Sequence, residues 1–149
     1  YFSGMHIELL PFLGLILTLG ACYRLAKFNI DTRQSDSFIG LPTPAMSLFV
    51  ISLPLILKYS EIAFIHQLIT NNYFLIAVTI VLTYLMNAEI PLFSLKFKDY
   101  SLKNNVIKYL FLIISLLMIV ILQYLSIPLI ILLYVLLSII SNNGKKAAI

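Results

Sequence analysis

Long apolar runs separated by short polar stretches dominate the chain. Three of them cover residues 9–28, 44–57 and 73–93, and two more follow, one starting near residue 106 and one ending near residue 140. A helix needs about 20 mostly apolar residues to cross a bilayer. The second run is short, and an extension to residue 65 stays open because Lys58 and Glu61 would then lie near its end. The pattern therefore predicts about five spanning helices.

The last two runs are joined by Ser126, Ile127 and Pro128 in an otherwise continuous apolar stretch. The combined stretch is too long for one span, so we expect two helices with a tight turn and Pro128 in the first turn of the second. Transmembrane strands would instead alternate apolar and polar residues, and the apolar runs do not. The expected fold is all-α, a polytopic transmembrane helical bundle that forms one membrane domain over residues 1–149.

Composition narrows the class of protein. Hydrophobic residues make up 61% of the 149 residues and charged residues 11%, with a mean hydropathy of +1.02. A soluble domain has about 25% charged residues, so this composition excludes a soluble domain. A disordered chain is poor in apolar residues, so a disordered chain is excluded as well. Cys22 is the single cysteine, which excludes a disulfide-stapled module. Because the chain starts at Tyr1, we expect it to be the C-terminal piece of a longer membrane protein.

The basic residues predict how the helices are oriented. If five helices alternate, nine of the ten lysines and arginines lie on one side of the membrane, and only Lys58 lies on the other. The nine are Arg24, Lys27, Arg33, Lys96, Lys98, Lys103, Lys108, Lys145 and Lys146. Basic loops stay in the cytoplasm. We therefore expect an external N-terminus, with the polar loops and the C-terminus in the cytoplasm, and no nucleic-acid partner.

Candidate chemistry begins at the end of the first helix, where Arg24 and Lys27 are three residues apart and share a face. Two cations at the mouth of a bundle can clamp a phosphate or a carboxylate. Alternatively, both side chains reach the lipid headgroups and only set the orientation. The residues alone leave both interpretations open.

The stretch from Gly40 to Pro44 predicts a tight turn into the second helix. Gly40 permits an unusual turn, and Pro42 and Pro44 fix their own φ angles. We expect Thr43 as the N-cap and Pro44 as the first helical residue. The free N–H groups of that helix end would then form an anion site, or the turn is simply a capped re-entry without a ligand.

Glu89 lies within the predicted last turns of the third helix, close to Pro91, which we expect to kink or end that helix. An ionisable residue within a membrane-spanning helix is a candidate functional residue. Its alternatives are an ion pair with Lys96 or Arg24, or a position at the interface. His6 and His66 have no second ligand at zinc spacing, so a zinc site is not expected.

Two motifs in order resemble a known family. Residues 24–29 read Arg-Leu-Ala-Lys-Phe-Asn, and residues 38–45 read Phe-Ile-Gly-Leu-Pro-Thr-Pro-Ala. These runs resemble the second half of bacterial CDP-diacylglycerol–serine O-phosphatidyltransferases, and residues 85–96 look like a later helix end of that family. The resemblance covers roughly residues 20–98 and implies the CDP-alcohol phosphotransferase superfamily. Lys27 stands where the family has arginine, so it lacks the bidentate fork.

The resemblance implies phospholipid biosynthesis. A phosphatidyl group passes from CDP-diacylglycerol to L-serine, giving phosphatidylserine and CMP, in a bacterial inner membrane. The family holds a divalent metal, Mg or Mn, with an Asp-x-x-Asp-Gly-x-x-Ala-Arg run followed by Gly-x-x-x-Asp-x-x-x-Asp. That run is missing from this chain, whose aspartates are Asp31, Asp36 and Asp99. We therefore expect the metal ligands upstream of the chain, and the fragment alone to be inactive.

The substrate-binding residues implied by the resemblance are Arg24, Lys27, Asn29, Gly40, Pro42, Thr43, Pro44 and Glu89. Arg24 and Lys27, with Asn29 beside them, would hold the serine carboxylate or the lipid phosphate, and the Gly40–Pro44 turn would shape the pocket wall. The partners are CDP-diacylglycerol, L-serine and the lipid bilayer, and a homodimer stays open. Two alternatives remain: another alcohol acceptor (glycerol phosphate, inositol or choline), or a non-enzymatic piece of a transporter with Glu89 and Arg24 as an intramembrane charge pair.

The predicted orientation can be tested by cysteine labelling. In a Cys22→Ser background, a cysteine at Ser60 is expected to react with an impermeant maleimide applied to spheroplasts. The Asn143→Cys variant is expected to react only after the membrane is permeabilised, because the basic C-terminal tail stays in the cytoplasm. Equal labelling of both positions in intact spheroplasts would contradict the predicted topology.

Overall fold

The computed structural model describes residues 10–30, 38–93 and 101–146, and these are almost entirely helical. A 3-10 turn, Leu10–Gly14, leads into α1 (Leu15–Ile30). The following elements are β1 (Phe38–Ile39), α2 (Thr43–Tyr59), α3 (Ala63–Ile69), α4 (Asn72–Asn87), β2 (Pro91–Leu92), α5 (Leu102–Leu122) and, after a 3-10 turn Gln123–Leu125, α6 (Ser126–Lys146). The predicted all-α class is confirmed, with one addition. The two-residue strands pair antiparallel, Phe38 opposite Leu92 and Ile39 opposite Pro91.

Helix length and composition support a membrane protein. Two described stretches are long and apolar enough to cross a bilayer, Pro11–Ile30 and Asn105–Ser141. A third is reached if Ala63–Ile69 and Asn72–Asn87, which meet at 67°, count as one bent span. The Thr43–Tyr59 helix has 17 residues, too few for this criterion. Two or three described helical stretches thus meet this criterion, whereas the sequence predicted five spanning helices.

The longer stretch folds back on itself. The rings of Phe111 in α5 and Tyr134 in α6 have centroids 5.8 Å apart, whereas one continuous helix would separate them by about 34 Å. The reversal occurs at Gln123, which has a left-handed φ of 47°. The chain therefore turns slightly before the expected Ser126–Pro128 break, and Pro128 lies in the first turn of α6, as predicted.

One other predicted helix end was wrong, and one alternative that the sequence left open is decided. α4 stops at Asn87 rather than residue 93, because Ala88 is extended (φ −67°, ψ 144°) and the chain then enters β2. Pro91, expected to kink or end the helix, therefore lies in a strand. α2 does not continue to residue 65: it ends at Tyr59, and α3 is a separate helix held to the break by a 2.5 Å contact between His66 Nε2 and the Ser60 carbonyl oxygen.

The hydrophobic core lies between α2, α4 and α6. Helical spacing along α2 puts one buried stripe on the inner face, and α4 and α6 pack against it. The buried core residues are Leu41, Met46, Phe49, Leu53, Ile56, Ile69, Leu82, Met86, Ile131 and Val135. α1 packs mainly on α4. Its close approach is made at Gly20, where an added Cβ would lie 2.7 Å from Thr83 Cγ2.

The bundle has two distinct ends. At one, Tyr59 stacks on Tyr124 with ring centroids 4.6 Å apart, and Lys58 lies beside the Tyr59 ring. We call this the tyrosine end. The opposite end, which we call the polar end, holds Arg24, Lys27, the Gly40 turn and Glu89. α2 starts at the polar end and finishes at the tyrosine end, and α5 and α6 reverse at the tyrosine end.

The contact of α1 with α4 gives a stability prediction. Gly20→Ala is expected to destabilise the protein by about 1–3 kcal/mol, because the added methyl group overpacks against the stiff Thr83 side chain. The measurement is the unfolding midpoint in mixed detergent micelles titrated with SDS.

Two variants control this experiment. Gly14→Ala is expected to cost nothing, because an added Cβ there meets nothing within 4 Å. Adding Thr83→Ser to Gly20→Ala removes the Cγ2 atom and should restore most of the loss. A Gly20→Ala protein as stable as the wild type would show that the two helices do not approach this closely.

Candidate functional site

One face of α1 carries Gly20, Arg24 and Lys27 towards the end of α4. Gly20 contacts Thr83, Arg24 Nη2 donates a long hydrogen bond of 3.5 Å to the Gly40 carbonyl, and Lys27 Nζ lies 3.1 Å from Glu89 Oε1. The spacing that put Arg24 and Lys27 on one face in the sequence thus holds in the structure. The two cations lie at the polar end, and each contacts a segment from a distant part of the sequence.

Gly40 packs closely against the backbone at the end of α4. Its φ is +73°, a conformation that glycine adopts without strain. Its N–H donates to the Ile90 carbonyl at 2.9 Å, and the Leu41 N–H donates to the Leu85 carbonyl at 2.8 Å. A Cβ on Gly40 would collide with the Met86 carbonyl oxygen and approach that of Ala88 at 3.0 Å. A glycine is therefore required on both grounds.

The start of α2 differs from the expected cap. The N-cap is Pro42 (φ −58°, ψ 138°) and Thr43 is the first helical residue, so Thr43 caps nothing with its side chain. Pro44 is the second helical residue and is exposed. The Met46 N–H already bonds the Pro42 carbonyl at 3.1 Å. Because Pro42 and Pro44 have no N–H, two of the four N–H groups that a helix start usually leaves free are absent here.

The sequence predicted Glu89 within the last turns of a helix, but the structure places it outside one. It follows α4, because that helix stops at Asn87. Its side chain is 64% exposed and pairs with Lys27, which is 30% exposed. Of the two partners that the sequence left open, Arg24 instead bonds the Gly40 carbonyl, and Lys96 lies outside the described residues. An ion pair this exposed contributes about 0–1 kcal/mol, so its main effect is to link the end of α1 to the segment after α4.

Arg24 differs from Lys27 in its surroundings. Both residues are partly buried, but within the part of the chain that the structure describes Arg24 has no carboxylate partner. Its Nε atom is buried without a hydrogen-bond partner there. Arg24 is therefore the cation at the polar end whose charge no described side chain neutralises.

Asn87 is a site residue that the sequence analysis missed. Its Nδ2 donates to the Gly20 carbonyl at 3.2 Å and to the Thr83 carbonyl at 3.0 Å, and its Oδ1 is buried without a partner among the described residues. Asn87 and Arg24 line the same small cavity. The other residues that line it are Lys27, Ile39, Met86 and Ala88. The available signal was an amide at the end of an otherwise apolar helix.

Asn29 does not join this group. It is exposed in the last turn of α1. Around the helix axis, Asn29 is separated by about 160° from Lys27 and by about 140° from Arg24. The structure therefore separates it from the two cations with which the sequence motif associates it.

The segment after α4 is fixed to α6. The Tyr134 hydroxyl donates to the Phe93 carbonyl at 2.8 Å, and the Phe93 N–H donates to Ser138 Oγ at 3.4 Å. The Phe93 ring also meets the rings of Tyr134 and Phe111 edge-on, at 5.0 and 5.9 Å. These contacts hold β2, and through it β1 and the Gly40 turn, against the α5–α6 hairpin.

A metal centre does not form from the described residues. Across residues 10–30, 38–93 and 101–146, no three His, Cys, Asp or Glu side chains lie close enough to hold an ion. His66 contacts the Ser60 carbonyl, and His6 lies outside the described residues. The divalent metal implied by the family resemblance therefore has no fitting ligand set in this part of the chain.

Comparison of the chain with protein-family models, curated proteins and solved structures gives no match.

Gly40→Ala is expected to destabilise the protein more than Gly20→Ala does. The left-handed backbone costs alanine about 1–2 kcal/mol, and the Met86 carbonyl, as backbone, cannot move away easily. The same SDS titration measures this, with Gly14→Ala as the matched control. Wild-type stability of Gly40→Ala would mean that the turn does not dock on the end of α4.

Proposed function

We propose that this chain is part of a membrane phosphatidyltransferase that moves a phosphatidyl group from CDP-diacylglycerol to L-serine. One observation carries the proposal. The three segments that resemble the CDP-diacylglycerol–serine phosphatidyltransferases are far apart in sequence, yet they meet at the polar end through the Arg24–Gly40, Gly40–Ile90 and Leu41–Leu85 hydrogen bonds. Convergence of motif residues is what a shared site requires, and these contacts support the proposal to that extent.

Arg24 is the residue we assign to the substrate anion. Its charge is not neutralised by a described side chain, and a partly buried guanidinium binds a carboxylate or phosphate more strongly than an exposed one. Lys27 is held by Glu89, so in this proposal it supports the positive potential of the pocket rather than clamping the ligand. Glu89 positions Lys27, and the turn from Gly40 to Pro44 forms the wall opposite α1.

The proposed reaction is a displacement at phosphorus. The serine hydroxyl oxygen forms a bond to the diacylglycerol-bearing phosphorus, the bond from that phosphorus to the CMP oxygen breaks, and the hydroxyl proton passes to a base. The described residues of the polar end would bind and orient the serine. The base and the ligands of the divalent metal, which supplies charge neutralisation when bound, belong in this proposal to other residues.

We also propose that α1, α2, α4, α5 and α6 all cross a bacterial inner membrane, with the polar end in the cytoplasm. The support is that α2, α5 and α6 run between the polar and tyrosine ends, and that Lys58 lies at the opposite end from Arg24 and Lys27. Tyrosine is enriched at membrane–water interfaces, and Tyr59 and Tyr124 lie together at this end.

The assay for this function is serine-dependent CMP release by the full-length protein in mixed micelles with CDP-diacylglycerol. Arg24→Ala is expected to raise the KM for serine about 10- to 100-fold, which corresponds to the loss of a charge-assisted hydrogen bond of roughly 1.5–3 kcal/mol. Lys58→Ala removes a cation from the tyrosine end and should leave the KM unchanged.

Three outcomes would overturn the proposal. An unchanged serine KM in Arg24→Ala at equal protein levels removes Arg24 from the substrate site. CMP release with glycerol phosphate, inositol or choline in place of serine assigns another alcohol. Solute transport by proteoliposomes, with no CMP release for any alcohol, assigns a transporter.

A further inference from the structure

The short helix α3 joins the end of α2 to the start of α4. α2 ends at Tyr59 in the tyrosine end, and α4 reaches the polar end at Asn87, so α3 lies at the tyrosine end of the bundle. The axes of α3 and α4 meet at 67°, so α3 lies within about 23° of the membrane plane when α4 follows the membrane normal. This direction is that of a helix on the membrane surface.

The bend between α3 and α4 has hydrogen bonds of its own. Thr70 Oγ1 donates to the His66 carbonyl at 2.7 Å, in the last turn of α3. Asn71 Oδ1 accepts from the N–H groups of Tyr73 and Phe74 at 2.8 and 3.4 Å, so Asn71 caps the start of α4. Because one helix is closed and the next is capped at this bend, α3 and α4 are two elements rather than one continuous span.

The polar residues around the bend support the same assignment. A single bent span would carry them into the hydrocarbon layer, where polar side chains are costly. At the membrane surface, water and lipid headgroups accommodate them. They are His66, Gln67, Thr70, Asn71 and Asn72.

Helical spacing gives α3 three different faces. Ile69 is buried in the core and Ile65 packs against that core, so these two residues form the inner face. Gln67 is exposed and lies about 180° around the helix from the inner face. Phe64 and Leu68 form a side face about 100° from the inner face. They remain 70% and 38% exposed.

We propose that α3 is an interfacial helix whose partner is the lipid bilayer. The Phe64–Leu68 face lies at the boundary between the headgroups and the acyl chains, and Gln67 faces water. With the inner face on the bundle and Gln67 opposite it, the side face points along the membrane surface, where a spanning bundle meets lipid. Exposed tyrosines, Tyr59 and Tyr73, flank α3 in the sequence, and tyrosine is enriched at this depth.

This inference rests on one part of the proposed function, the crossing of the membrane by α4, and not on the transfer reaction. Apolar side chains at the interface strengthen membrane binding in proportion to the apolar area that they bury. The Phe64–Leu68 face therefore anchors the link between α2 and α4 at the membrane surface.

Tryptophan fluorescence can test the position of α3. The chain has no tryptophan, so a tryptophan introduced into it reports from a known position once the signal of the parent protein is subtracted. Phe64→Trp, Gln67→Trp and Ile80→Trp are compared in the full-length protein, reconstituted into phosphatidylcholine vesicles. Ile80 is exposed midway along α4 and serves as the control for contact with lipid. The quenchers are iodide on both sides of the membrane and lipids brominated either near the headgroup or near the chain end.

Phe64→Trp is expected to be quenched more strongly by bromine near the headgroup than by bromine near the chain end. Its iodide quenching constant is expected to be at least about threefold below that of Gln67→Trp, since an interfacial apolar face is buried ~5–10 Å deep. Ile80→Trp should show the reverse preference between the two lipids. Leu68→Trp repeats the measurement on the same face if Phe64→Trp does not fold.

Three results would overturn the interfacial position while Ile80→Trp is still quenched by lipid. Equal iodide quenching of Phe64→Trp and Gln67→Trp, without quenching by either lipid, places α3 in water. Protection of Phe64→Trp from iodide and from both lipids means that a protein chain covers this face. Quenching of Gln67→Trp by bromine near the chain end makes α3 part of a bent span.

A failure of the underlying topology gives a different result. If neither brominated lipid quenches Ile80→Trp, α4 does not cross the membrane, and the proposed topology and the interfacial helix are both wrong. The transfer reaction is tested separately by serine-dependent CMP release, which does not depend on the position of α3.

Discussion

The architecture of the polar end depends on the hydrogen bonds that the Gly40–Leu41 backbone makes to the end of α4. The last carbonyls of a helix have no partner within the helix, and in a membrane such groups must find one within the protein. The Leu41 N–H supplies it for Leu85, and the Gly40 N–H bonds Ile90 just beyond. Gly40 allows this approach, Leu41 is then buried beneath it, and Arg24 reaches across to the Gly40 carbonyl. One backbone contact thereby sets the relative positions of α1, α2 and α4.

The sequence predicted the helices well, because long apolar runs report directly on burial in protein or lipid. It also located the Gly40 turn and the shared face of Arg24 and Lys27, since both follow from local rules. It failed at the end of α4, where the pairing of β1 with β2 joins residues distant in sequence. Because of that error, Glu89 was predicted inside a helix and Asn87 was not identified as a site residue. The cap at Thr43 missed by one residue, because two flanking prolines satisfy the same start signals.

Arg24 and Lys27 are indistinguishable by sequence position, and the fold gives them different environments. Lys27 reaches an exposed carboxylate on the segment after α4, whereas Arg24 has a buried Nε atom and no described acid neutralises its charge. The contacts that each side chain makes, rather than its charge, therefore distinguish the two cations. Such differences arise from tertiary contacts, and neither helical spacing nor motif order encodes them.

The short length of α2 and α4 has a consequence for the surrounding lipid. With 17 and 16 residues, these helices are about 25 Å long, whereas the hydrocarbon layer of a bilayer is about 30 Å thick. If they cross as proposed, hydrophobic mismatch makes the bilayer thin locally around them, at a cost that grows with acyl-chain length. The thickness of the host membrane then becomes a determinant of how tightly the bundle is held together.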